Sequence, residues 1–364
     1  MVIATETLTS DILVEQQTKM TNIFLTKRCN LSCPYCFADE FVNKSNGEFS
    51  LDLFVDVLNF ILQDSEQIGL IGGEPTIHPQ FKEICDILIA DDRVKDITLY
   101  TNGLLIDKYI NELKNNKFGL LINCNSPENL GKNYLKLKEN IKLLADIEKK
   151  EVTLGINIHK KDMDYSYIFE LQELIPYSRN IRYSTSLSNS SKCSAKCAFD
   201  TFKEMKPILF SFFKDCYSKN IGVSNDCNGI PWCILNAEEK AFLLKYNILG
   251  KNLEIGDPIS STTTCSPVID ILPDLTTIRC FGLSKYLRVP ISNFKNSKSI
   301  YKFFDEKFDS YARIAFLKED CQDCKHHYLN RCGVCQTYKL SNIEKIKEYT
   351  QNLAKNTKLE SDIV

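Results

Sequence analysis

Histidine and tryptophan are scarce, at four and one in 364 residues. His78, His159, His326 and His327 show no H-x-x-x-H or similar pairing, so no histidine-built metal site or paired base is marked. An excess of either charge sign is also missing. Lys+Arg of 45 against Asp+Glu of 47 leave a net charge of −2, which argues against a broad electrostatic footprint for nucleic acid or anionic membrane. Long apolar runs are absent, and stretches such as Phe118–Ile122 are far too short to span a bilayer. The first residues, MVIATETLTSDILVEQQ, have no basic region, apolar stretch or small-residue cleavage site of a secretory signal. These absences lead us to expect a cytoplasmic protein with neither a membrane nor a nucleic acid as partner.

Cysteine, by contrast, is abundant, with sixteen in the chain. Reduced thiols in the cytosol serve as metal ligands more often than as disulfides. The stretch TKRCNLSCPYCF sets Cys29, Cys33 and Cys36 in a C-x3-C-x2-C pattern. Thiolates are soft ligands that favour zinc, Cu(I) or iron–sulfur clusters. A closed [4Fe–4S] site takes four cysteines, so three would leave one iron open to another ligand. Read alone, the three also fit a zinc knuckle that borrows its fourth ligand from elsewhere.

Around this loop, strand-like and helix-like runs alternate. Strands are expected at Asn22–Thr26, Gln67–Ile71, Asp96–Tyr100, Phe118–Cys124, Val152–Ile158 and Asn180–Ser186. Helices are expected at Leu51–Leu62, Gln80–Ala90, Leu105–Asn115, Lys132–Glu148 and Tyr165–Ile175, with Thr201–Lys219 closing the series. Such alternation indicates parallel βαβ units and an α/β fold. Six strands are too few for a full (β/α)8 barrel. In barrels the reacting groups gather at the C-terminal tips of the strands.

The cysteine loop after a first strand, with Tyr35 just before the last cysteine, resembles the radical S-adenosylmethionine (radical SAM) superfamily. The resemblance implies a partial (β/α)6 TIM-like barrel, a [4Fe–4S] cluster on Cys29, Cys33 and Cys36, and S-adenosylmethionine on the open iron. Gly72-Gly73-Glu74-Pro75 at the second strand tip resembles the family's GGE(P) motif. Glycines let backbone approach a ligand, and the Glu74 carboxylate would receive the methionyl ammonium. Thr101-Asn102-Gly103 matches the TNG often seen at the third tip, although Asn-Gly is also ordinary turn chemistry. Asn125 and Ser126 at the fourth tip suit ribose hydroxyls or the methionyl carboxylate. Ile156, beside Gly155, would pack the adenine, and Arg182 would clamp a carboxylate.

A second cysteine region follows, with Cys227, Cys233, Cys265, Cys280, Cys321, Cys324, Cys332 and Cys335. Its last four form two C-x2-C pairs that by themselves look like a zinc ribbon. Cys265 and Cys280, flanking the expected hairpin VIDILPDLTTIRCF, with the paired sites after it, look like the SPASM or twitch extension of radical SAM enzymes. That resemblance implies one or two auxiliary [4Fe–4S] clusters, for which eight cysteines suffice. The seven-residue gap between the last two pairs, the lack of a later cysteine, and Asp274-Leu275 in place of an Asp-Gly turn depart from the SPASM pattern. The expected organisation is an arm at 1–21, the barrel at 22–220, a cysteine-rich iron–sulfur domain at 221–340 and a C-terminal helix or tail at 341–364.

The resemblance implies reductive cleavage of S-adenosylmethionine and hydrogen abstraction by a 5′-deoxyadenosyl radical. A peptide or protein substrate is the first expectation, and a small-molecule dehydrogenase or other tailoring enzyme the second. A different class, a non-enzymatic iron–sulfur or zinc protein that senses redox state or binds nucleic acid, would leave GGEP without a use. Sulfatase-maturing relatives carry an Asp base directly after the cysteine matching Cys280, where this chain has Phe281, so that activity is not expected. Only 28 residues precede Cys29, too few for a leader-binding domain. Expected partners are the substrate, an electron donor such as flavodoxin or ferredoxin, and a separate leader-binding protein if the substrate is a peptide.

Overall fold

The computed structural model describes residues 20–44, 47–185, 195–225, 229–246, 268–324, 335, 337, 340–341 and 343–361. The elements run β1 (Thr21–Phe24), α1 (Leu51–Ile61), β2 (Gln67–Ile71), α2 (Phe81–Ala90), β3 (Asp96–Thr101), α3 (Ile110–Leu113) and β4 (Phe118–Asn123). They continue through α4 (Pro127–Leu130), α5 (Asn133–Asp146), β5 (Val152–Ile158), α6 (Tyr167–Glu173), β6 (Asn180–Thr185), α7 (Ala195–Ser218), β7 (Gly222–Ser224) and α8 (Ala237–Lys245). The C-terminal part holds β8 (Asp270–Ile271), β9 (Thr276–Ile278), β10 (Val289–Pro290), α9 (Ser297–Phe303), α10 (Ser310–Ala315), α11 (Glu319–Gln322) and α12 (Ile343–Ser361).

One sheet joins all ten strands in the order β10-β9-β8-β1-β2-β3-β4-β5-β6-β7. From β8 through β1 to β7 every neighbouring pair is parallel, while β9 and β10 run antiparallel. The fold is thus α/β with the parallel sheet of a partial barrel. The six expected strands are all present. Two features were not foreseen: β7, which extends the sheet beyond β6 and beyond residue 220, and the parallel pairing of β8, the first arm of the expected hairpin, with β1. At three and two residues, neither strand is long enough to show a period.

Alternation along the strands separates two faces. Ile23, Leu70, Leu99, Ile122, Leu154 and Ile181 turn outward into the main apolar core. Helix α1 presents Phe54, Val57, Leu58 and Ile61 to that core at helical spacing, and Ser50 caps it by accepting from the Leu53 amide. Val223, Trp232, Leu243 and Ile271 belong to the same core, so packing runs without a break across residues 220–221. Phe24, Ile71, Leu272 and Ile278 form a small inner cluster, with Phe281 and Tyr100 against it. A separate core of Ile269, Leu287, Ile300, Phe304, Phe308 and Phe316 supports the C-terminal part.

The expected hairpin forms between β8 and β9. Its turn places Leu275 at φ +58, a left-handed conformation that a glycine would take without strain. Asp274 holds the turn by accepting from the Thr276 amide and hydroxyl at 3.2 and 2.6 Å and from Arg288 at 2.6 Å. No described helix is long and apolar enough to cross a membrane.

Asp270 in β8 is only 3% exposed and accepts from Asn22 Nδ2 at 2.9 Å. Burial raises its carboxyl from an ordinary 3.8 to about 7. Folding therefore takes up a proton between those values. The stability this group contributes is full below about pH 4 and is lost as pH rises to about 7, at about 1.4 kcal/mol per pH unit. In urea titrations at pH 5 and pH 7, Asp270→Asn is expected to flatten that part of the pH dependence. Equal slopes in the two proteins would show that Asp270 ionises as freely folded as unfolded.

Candidate metal and cofactor site at the barrel mouth

The three cysteines lie in the loop between β1 and α1, at the C-terminal tips of the parallel strands. Asn43, at φ +55, grips Cys29 from both sides. Its Oδ1 accepts from the Cys29 amide at 2.9 Å and its Nδ2 donates to the Cys29 carbonyl at 3.1 Å. The Cys36 amide closes a tight turn onto the Cys33 carbonyl at 3.1 Å. Cys33 Sγ and the Tyr35 hydroxyl both donate to Asn125 Oδ1, the sulfur at 3.2 Å. Tyr35 also packs at a tilt against His159, ring centres 4.3 Å apart. The loop is therefore braced on the tips of β4 and β5.

All three thiols are partly buried. Burial pushes Cys29 up to about 11 and Cys33 up to about 12, and raises Cys36. Negative neighbours add to this: Glu74 and Cys36 act on Cys29, and Cys29 and Cys36 on Cys33. Thiolates so crowded need a positive partner. Among the described residues, no three His, Cys, Asp or Glu side chains gather around a single-ion site. Three soft donors, each free to serve its own metal, suit an iron–sulfur cube.

Gly72 and Gly73 are needed by the loop itself. A Cβ on Gly73 would stand 2.2 Å from the Arg28 carbonyl oxygen and 3.0 Å from Cys29 Cβ; one on Gly72 would stand 2.8 Å from the Thr26 oxygen. Backbone bonds from Gly73 to Thr26 at 2.8 Å and from Glu74 to Arg28 at 2.9 Å lock this approach. Glu74 is 1% exposed. Its Oε1 accepts from the Thr76 amide and hydroxyl at 3.2 and 2.6 Å and from the Thr101 hydroxyl at 2.7 Å. Its Oε2 accepts from the Asn102 amide at 2.7 Å. Burial raises its carboxyl while these donors lower it. Asn102 passes the connection on, its Nδ2 donating to Asn30 Oδ1 at 2.7 Å. A polar relay thus runs from Glu74 through Asn102 to the cysteine loop.

The remaining sequence-derived positions are distributed around the mouth. Ser126 caps α4 by accepting from the Asn129 amide at 3.3 Å, next to Asn125. Ile156 lies fully buried in the main core, in register with Tyr183. Its neighbours Gly155 and Asn157 take the other face of β5. There Asn157 Oδ1 accepts from the Ser184 hydroxyl at 2.6 Å and from Arg182 Nη1 at 3.4 Å. Asn157, not Ile156, thus presents a polar side chain on the face of β5 opposite the main core.

In the C-terminal part, Cys280 follows β9 and packs against the second core. Cys321 in α11 is buried, and the Cys324 amide turns back onto its carbonyl at 3.4 Å. A Cβ on Gly282 would stand 2.9 Å from Thr337 Cγ2, and the Thr337 hydroxyl lies 2.9 Å from Cys335 Sγ. A bridge between Leu317 and Leu340 draws the same segments together. Cys280, Cys321, Cys324 and Cys335, four of the five described thiols of this region, are soft donors of the number a closed cluster takes. Cys233 is exposed on the turn at Trp232–Ile234. Cys227, Cys265 and Cys332 lie outside the described residues. Phe281 enters an aromatic group, ring centres 5.5 Å from Phe24, 5.0 Å from Phe37 and 5.6 Å from Phe41.

Sequence reading did not single out Asn30, Asn43, Thr76, Asn157 or His159, and named Thr101 only as part of the TNG run. Thr101, Asn157 and His159 carried a signal, their position at a strand tip. The others act through contacts that spacing does not reveal.

Residues 23–166 match the family model described as Radical SAM superfamily. Among curated relatives, probable GTP 3′,8-cyclases are 29% identical over 168 residues in Methanococcus maripaludis and 26% identical over 194 residues in Methanocaldococcus jannaschii. These alignments cover 43% and 46% of this chain and 54% and 62% of those proteins. The chain thus spans less than two thirds of the length of these relatives. In structure, Streptococcus suis SuiB bound to S-adenosylmethionine superposes with a TM-score of 0.58 at 15% identity, covering 87% of this chain and 73% of SuiB. Native anSMEcpe with bound AdoMet gives 0.59 at 16% identity, covering 93% and 99%. At such identities the likeness is one of fold.

Proposed function

Since residues 23–166 form a radical SAM domain, we propose that the chain is an enzyme that holds a [4Fe–4S] cluster on Cys29, Cys33 and Cys36, cleaves S-adenosylmethionine reductively and modifies a peptide or protein. The observation that carries this reading is the trio of partly buried, mutually repelling thiols seated directly on Gly72-Gly73. The cluster, when bound, would supply an open iron for the amino acid end of S-adenosylmethionine and the electron for its sulfonium.

The chain's own residues supply position and dryness. Asn43 and Asn125 fix the loop, and Tyr35 with His159 walls it. In the family pattern Glu74 would face the methionyl ammonium. Here it fixes Asn102, so we assign the direct polar contact to Asn102 and the Gly72-Gly73 backbone, with Glu74 behind them. Arg182, beside Asn157 and Ser184, is the carboxylate clamp. Asn125 and Ser126 take the ribose side. Ile156 serves as packing behind β5, with Gly155 lending backbone access to the adenine. Cys280, Cys321, Cys324 and Cys335, with Cys227, Cys233, Cys265 and Cys332, are assigned to one or two auxiliary clusters. A flavodoxin or ferredoxin is the proposed electron donor, and a separate leader-binding protein remains part of the peptide reading.

The peptide reading draws on a fold shared with SuiB, also solved bound to precursor peptide SuiA. A small-molecule substrate is the second reading, favoured by relatives named GTP 3′,8-cyclase. Phe281, packed among Phe24 and Phe41, supplies no base at the position after Cys280, which argues against a sulfatase-maturing activity. The test is anaerobic. Iron-loaded protein with dithionite and S-adenosylmethionine is expected to release 5′-deoxyadenosine and to hold about eight to twelve irons per chain. Turnover accelerated by a peptide but not by GTP supports the first reading, and the reverse supports the second. Stoichiometric zinc with no 5′-deoxyadenosine would overturn both.

A further inference from the structure

Arg279 is among the largest fully buried side chains of the described residues, at 2% exposure. Its Nε is ion-paired with Asp309, itself 1% exposed. Its Nη1 lies 3.8 Å from the sulfur of the next residue, Cys280. Asp309 is the last residue of a π-helical turn, Phe304–Asp309, inserted between α9 and α10. Burying two opposite charges is expensive, and an apolar pair of similar volume would often serve stability as well. The wider helical turn, a feature that often marks functional positions, sits where it brings the carboxylate to the guanidinium. The planar fork of Arg279 can then serve Asp309 and the Cys280 sulfur from one rigid group.

We propose that the Arg279–Asp309 pair sets the reduction potential of the auxiliary cluster assigned to Cys280, with Arg279 donating a charge-assisted hydrogen bond to the ligating sulfur. This rests on the assignment of Cys280 made above. Neither residue touches substrate; both are positioning residues that act through the sulfur. Hydrogen bonds to cluster sulfurs and net local charge are what tune such potentials. A guanidinium favours the reduced, more negative state, and Asp309 both orients and partly offsets it.

The test is potentiometric titration of the anaerobically loaded holoenzyme, followed by electron paramagnetic resonance, which separates the barrel cluster from an auxiliary one. In Arg279→Gln the auxiliary midpoint is expected to move negative, lowering the reduced-to-oxidised ratio about tenfold at fixed potential, or about 59 mV for one electron. The barrel cluster's midpoint should stay in place. Arg279→Lys, keeping the charge, should recover part of the shift. Asp309→Asn should move the midpoint the other way, and it decides the matter if Arg279→Gln fails to fold. A second cluster whose midpoint is unmoved in the variants that load iron overturns the inference alone. A wild-type protein with only the barrel cluster overturns the assignment of Cys280, and the inference with it.

Discussion

Cys33→Ala is expected to remove about four irons per chain and to take 5′-deoxyadenosine formation below detection, while iron held elsewhere stays bound. The size of the effect follows from the geometry. Cys33 is the cysteine whose sulfur is steered by Asn125, and no other described thiol lies in that loop besides Cys29 and Cys36. With two sulfurs left, the cube has no third protein anchor. Cys85→Ala is the matched control, because Cys85 sits in the main core on α2, far from any proposed ligand role. That variant should keep its iron and its S-adenosylmethionine cleavage and lose only a little stability. Iron counts and product chromatography read both. Full iron and full activity in Cys33→Ala would remove the cysteine loop from the chemistry.

Glu74→Ala should combine a stability loss with a loss of activity. The carboxylate accepts four hydrogen bonds at the tips of β2 and β3, and both its oxygens are shut away from water. Without it the Thr76 and Asn102 amides are buried donors with nothing to donate to. Each such group costs about 1–3 kcal/mol, so about 2–6 kcal/mol is expected in chemical denaturation. Glu74→Gln keeps the shape and an acceptor oxygen and should cost about 1–2 kcal/mol. The functional loss travels through Asn102 to Asn30 and the cysteine loop. A displacement of about 1 Å at a reacting centre can cost about 100-fold in rate, and a fall of that order in S-adenosylmethionine cleavage is expected for Glu74→Ala. Intact cleavage in a destabilised Glu74→Ala would confine the residue to a structural role.

Much of the barrel could be read from the sequence because its signals are local. β1 to β6 are runs of four to seven residues in which apolar side chains recur on one face, and the helices between them show helical spacing, as Phe54, Val57, Leu58 and Ile61 do. Cys29, Cys33 and Cys36 stood out because the ligands of one loop lie close together in sequence. What stayed hidden depends on distant contacts. β8 pairs with β1 through two residues that in sequence read only as half of a hairpin. His159 meets Tyr35 from another strand tip, and Asn43 meets Cys29 across a loop whose bend no spacing announces. Glu74 was read for its charge, whereas its burial and its partners are set by Thr76 and Thr101. Ile156 was picked for being apolar beside a glycine, yet the pleat turns it to the helix side. Arg279, in the run IRC, carries no sequence signal of its pairing with Asp309, thirty residues on.

The pairing of β1 with β8 joins Asn22 to Asp270 across 248 residues of sequence. On the ribosome, the first strand would emerge with one flank bare and keep it bare for most of translation. At roughly 5–20 residues per second, that interval is about 12 to 50 s. A strand left so long with unsatisfied amides and carbonyls is open to pairing with another chain. Iron delivered early would thus reach a cysteine loop whose supporting strand is still unfinished, which makes the order of synthesis and metal loading a determinant of yield.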